Sequence, residues 1–155
     1  MPDAAGRGGV LLAMGLAVPP GQLAVAPLER WLGRDRAVIF AALAVVASLA
    51  LLAAWPALPL GAAVALLMLC CFASASAILL VTQGRALFAE HQVGRGVTTV
   101  NLAQVLGSAV PPAFVGWAVA AVGVGEAGYR AGFALLALCL LPGISGYRWL
   151  PRGLG

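Results

Sequence analysis

Apolar residues run through this chain in long blocks, and polar positions collect between them. Five blocks stand out, at residues 10–28, 37–55, 60–82, 97–122 and 131–147, none shorter than 17 residues. Polarity does not alternate within them, which argues against membrane β-strands of about 10 residues. A helix rises about 1.5 Å per residue, so about 20 residues cross the roughly 30 Å hydrocarbon core. The pattern predicts an all-α fold: a polytopic membrane helix bundle of about five transmembrane helices, forming a single transmembrane domain over residues 1–155.

Local signals refine these boundaries. Pro19-Pro20, Pro111-Pro112 and Pro142 fall inside the first, fourth and fifth blocks. Each proline removes a helical N–H donor and predicts a bend. Asp35 is expected to cap the second helix through its carboxylate. Trp55-Pro56 and Pro59 mark the next turn. Residues 1–26 also admit a signal-peptide reading, with Arg7, the apolar run 10–18 and Ala24-Val25-Ala26 as a cleavage site. That segmentation leaves four helices.

Composition narrows the class. Hydrophobic residues make up 63% of the chain and charged residues only 9%, against about 25% charged in a soluble domain. The lipid bilayer is therefore the expected partner. The basic residues are all arginine and form no stripe outside the inter-block loops, which argues against nucleic acid. Cys70, Cys71 and Cys139 lie inside apolar blocks and read as small hydrophobes with no metal spacing. Asp3, Glu29, Asp35, Glu90, Glu126 and His91 lie outside the blocks or at their ends. With no carboxylate or imidazole at mid-membrane and no nucleophile–base pair, no catalytic residue and no cofactor is expected, and the chain does not read as an enzyme.

Charge also predicts orientation. If the loop after the first block is cytoplasmic, Arg30, Arg34, Arg36, Arg85, Arg95, Arg148 and Arg152 lie inside, leaving only Arg7 and Arg130 outside. The positive-inside rule then places the N-terminus outside and the C-terminus in the cytoplasm, in a plasma or inner membrane.

The polar residues within the blocks are uncharged. Asn101, Gln104 and Ser108 share one helix face, with Gly107 and Gly116 nearby. Two readings stand. The stripe packs against another helix, small residues permitting close approach and polar ones bonding across; or it lines a substrate path. Ser74 and Ser76 carry the same two readings, with bonding to their own preceding carbonyls as the packing version.

Residues 27–36, PLERWLGRDR, resemble the cytoplasmic signature of major facilitator superfamily transporters, found between helices 2 and 3 and again between helices 8 and 9. Glu29 stands for its Asp, Arg30 matches, and Gly33-Arg34 match after one extra residue; Val25 replaces the leading Gly. The stretch from Gly84 to Ala118 is similar to the loop and helix after helix 10, through Arg85, Arg95-Gly96, Asn101, Gly107 and Gly116. GYRAGF at 128–133 resembles the opening of helix 12. The resemblance spans about residues 10–150 and implies helices 8–12 of a 12-helix secondary transporter of a small-molecule substrate, working with an N-terminal half. It implies that Glu29, Arg30, Gly33 and Arg34 act as a conformational latch, with Arg85, Arg95 and Gly96 forming a second cytoplasmic loop motif. It also makes block 60–82 the cavity-lining helix. The alternatives are a small non-catalytic membrane scaffold or accessory protein, and a half-size transporter acting as a dimer.

Overall fold

The structure, a computed structural model, describes residues 4–86 and 93–149. Among the described residues six helices follow one another: α1 (Ala4–Leu32), α2 (Arg34–Ala54), α3 (Leu60–Ser74), α4 (Ala77–Ala86), α5 (Val93–Val122) and α6 (Glu126–Trp149). Among the described residues there is no strand. Five stretches of the described residues are long and apolar enough to cross a membrane: Gly6–Leu32, Arg34–Ala54, Leu60–Thr82, Gly94–Val122 and Glu126–Trp149. The 21 residues of α2 span about 32 Å, close to the thickness of the hydrocarbon core.

The burial pattern supports the same class. Leu11, Leu12, Leu16, Leu23, Phe40, Leu102, Phe114, Trp117 and Leu138 are all exposed, while the buried set is dominated by alanine and other modest side chains. In water so much exposed apolar surface would drive aggregation. In lipid it is the solvated face, and association rests on close packing instead. The chain is a membrane-embedded helical protein.

The chain divides into two compact units, Met1–Ser76 and Ala77–Gly155. In the first, α3 packs on both α1 and α2, and α1 touches α2. The closest approach is made by Gly21 of α1, where a Cβ would collide with the Phe72 carbonyl oxygen and lie 2.9 Å from Ala75 Cβ. In the second unit, α5 packs on α6 and on α4. Gly128 and Gly132 make the α5–α6 contact: a Cβ on Gly132 would sit 2.9 Å from Val115 Cγ1, and one on Gly128 3.3 Å from Val119 Cγ1.

Several boundaries differ from the sequence reading. The block 60–82 is not one helix. It breaks at Ala75-Ser76, where Ala75 N bonds Phe72 O at 3.3 Å and Ser76 N bonds Ala73 O at 3.1 Å, tightening the backbone into a turn. Ser74 and Ser76 reinforce it by donating to the Cys70 and Ala73 carbonyls. Asp35 is not the cap of α2. Gly33 is, without a side-chain cap bond, and Asp35 sits in the first turn. There its negative charge still suits the helix dipole. Gly107 and Gly116 do not mediate close packing, since a Cβ at either meets nothing within 4 Å. α6 begins at Glu126, five residues before the apolar block, because the helix continues past the hydrophobic span. α1, α5 and α6 run through their internal prolines. The α2–α3 turn follows the expected punctuation: Trp55 is extended, as a residue before proline should be, and Pro59 precedes α3.

Candidate functional site

The charged hairpin between α1 and α2 is built from one glycine and one ion pair. Gly33 adopts φ 78° and ψ 156°, a left-handed value that disfavours residues with a Cβ. Its N–H bonds Glu29 O at 2.9 Å and its carbonyl accepts from Ala37 N at 3.0 Å, so one residue closes α1 and opens α2. Across this corner Arg34 Nε donates to Glu29 Oε1 at 2.6 Å. Glu29 lies at the C-terminal end of α1, where the helix dipole disfavours an anion. Of the three nearby arginines, Arg34 supplies the compensating charge. Arg30 sits in the last turn of α1, where a cation is favoured, and is exposed. Both members of the ion pair remain partly exposed, so the pair contributes at most about 1 kcal/mol to stability.

The second loop motif is split. Arg85 belongs to α4, but its side chain lies outside the described set. Arg95 is exposed and Gly96 buried, both in the first turns of α5. Thr98 and Thr99 bond back to the carbonyls of Gly94 and Arg95 at 2.9 Å. Asp3, Glu90, His91 and Arg152 lie outside the described residues.

Asn101, Gln104 and Ser108 fall on one face of α5 and are exposed. Ser108 Oγ donates to Val105 O at 2.8 Å. Among the described residues the two amides make no side-chain hydrogen bond. Ser74 and Ser76 likewise spend their protons on their own helix, at 2.7 and 2.8 Å. Sequence reasoning did not single out Ser48, a fully buried polar side chain, which is satisfied by Ala44 O at 2.8 Å.

A cavity of about 90 Å³ lies within the first unit, lined by Gly21, Val25, Phe40, Ala44, Phe72 and Ser76 among others. The Ser76 hydroxyl already donates to Ala73. With an otherwise apolar lining, the cavity offers too few polar partners to hold water or a polar solute. No group of three or more His, Cys, Asp or Glu residues that could hold a metal ion occurs among the described residues.

Comparisons with family models, curated proteins and solved structures found no match to this chain.

Proposed function

We propose that this chain is the C-terminal part of a secondary transporter of the major facilitator type, moving a small solute across a plasma or inner membrane. The observation that carries the reading is the Glu29–Arg34 ion pair across Gly33. Charged residues are scarce in this chain, yet an acid and a base are spent bridging the end of one apolar helix to the start of the next. Such a pair adds little stability where it is partly exposed. A contact that is made in one state and broken in another gives it a purpose: it biases the equilibrium between them. The excess of arginine in this loop supports a cytoplasmic position, with the N-terminus outside and the C-terminus inside.

Alternating access requires two halves rocking about a site at their interface. The chain therefore works beside an N-terminal half that supplies the opposite wall. The test is uptake into proteoliposomes of candidate sugars, organic acids and cationic dyes, with and without a proton gradient. The chain reconstituted together with an N-terminal half of a transporter of this type should show gradient-dependent uptake, reduced by Glu29→Gln. The chain alone should show none. Uptake by the chain alone would identify a dimeric half-size carrier. No uptake by either, with both correctly inserted, would contradict a transport role.

A further inference from the structure

The α5–α6 contact is closed at one end and open at the other. At the closed end Val119 faces Gly128 and Val115 faces Gly132. The helices are joined by a short turn at Gly123, so they run antiparallel and the register is set. Carried forward residue for residue, that register places Ser108 opposite Cys139, Gln104 opposite Gly143 and Asn101 opposite Gly146. Steps of three and four keep all these positions on the same two faces. Every position on this continuation is nevertheless exposed. A Cβ at Gly143 or Gly146 would meet nothing within 4 Å.

We infer that α5 and α6 are a half-closed pair, and that in the membrane the open half zips along the same register. Three features favour it. The polar residues of α5 each face a small residue of α6, the pairing by which membrane helices approach and bond across. Pro142 removes the N–H that would otherwise reach the Leu138 carbonyl, leaving an acceptor on α6 near Ser108. Pro111 and Pro112 lie between the closed and open halves of α5 and remove the donors for the carbonyls of Gly107 and Ser108, placing a bending point at the junction. Zipping hides Asn101 and Gln104 between helices; opening presents both amides on one face. The pair is thereby a conformational device, independent of which solute, if any, the protein carries.

Cysteine cross-linking of the full chain in membranes tests this. In a Cys70→Ala, Cys71→Ala background, native Cys139 is combined with Ser108→Cys, or with Leu106→Cys on another face of α5. Copper-phenanthroline serves as oxidant, and disulfide-linked peptides are read by mass spectrometry. Zipping predicts that the Ser108→Cys protein links within one chain at least tenfold faster than the Leu106→Cys protein. A second pair, Asn101→Cys with Gly146→Cys and Cys139→Ala, guards against misfolding of the first and should also link within one chain. Equal rates for target and control, or links formed only between two chains, would overturn the inference.

Discussion

Arg34 donates its Nε proton to Glu29 Oε1 at 2.6 Å, across a corner made by Gly33 alone. This relationship joins the two levels at which the hairpin is readable. The sequence shows charge gathered where the chain leaves the membrane; the structure shows which acid meets which base, and why the neighbouring residue is glycine.

The ion pair should be weak in stability and specific in coupling. Glu29→Gln and Arg34→Ala should each cost less than about 1 kcal/mol in thermal unfolding in detergent. The charge-swapped double variant Glu29→Arg/Arg34→Glu should be at least as stable as either single variant, because it keeps an opposite-charge pair and places a cation at the end of α1 and an anion at the start of α2, as the helix dipoles favour. Strict additivity of Glu29→Gln and Arg34→Ala in a double-mutant cycle would show that the pair does not interact in solution.

Gly33 should tolerate no ordinary side chain. With φ at 78°, Gly33→Val should lose about 1–2 kcal/mol. Gly33→Asn should lose a similar amount, since ψ at 156° lies outside the left-handed helical well that asparagine tolerates, in a region occupied essentially by glycine alone. Equal melting temperatures for the Val variant and the parent would mean that the corner adopts another conformation.

The glycines sort into two groups by what surrounds them. Gly21→Ala drives a methyl group against the Phe72 carbonyl, and backbone yields poorly, so a loss of about 1–3 kcal/mol is expected. Gly107→Ala should be neutral or slightly stabilising, because its surroundings are open and alanine favours helix. Thermal unfolding of the two variants side by side checks the contrast; a large loss at Gly107 would show a packing partner there.

The α5–α6 contact can be tested by compensation. Gly132→Ala should destabilise because its methyl group approaches Val115 Cγ1 to 2.9 Å. Val115→Ala should relieve the clash, making the double variant more stable than Gly132→Ala alone. Absence of rescue would place the strain elsewhere.

Much of the fold was legible because apolar blocks, prolines and turn glycines carry local information. Trp55-Pro56 and Pro59 mark a turn through their own backbone restrictions, and the structure uses them as such. The break at Ala75-Ser76 was not legible, since it contains neither glycine nor proline and lies inside an unbroken apolar block. The start of α6 was missed because hydropathy reports where a helix meets lipid, whereas Glu126 and Arg130 continue it beyond that limit. At the hairpin Arg30, Arg34 and Arg36 all lie within seven residues of Glu29; the Gly33 corner brings Arg34 to it. On α5 the polar stripe was legible, but the close contact lies further along, where Gly128 and Gly132 of α6 receive Val119 and Val115.

Topology mapping tests the central claim most directly, namely that the charged hairpin is a cytoplasmic element of a five-span membrane protein. Reporter fusions after Gly94 and Gly123 should report cytoplasm and exterior respectively, as required by an outside N-terminus and a cytoplasmic loop between α1 and α2. The reverse assignment, or the same side for both sites, would contradict the orientation and remove the basis for the transporter reading.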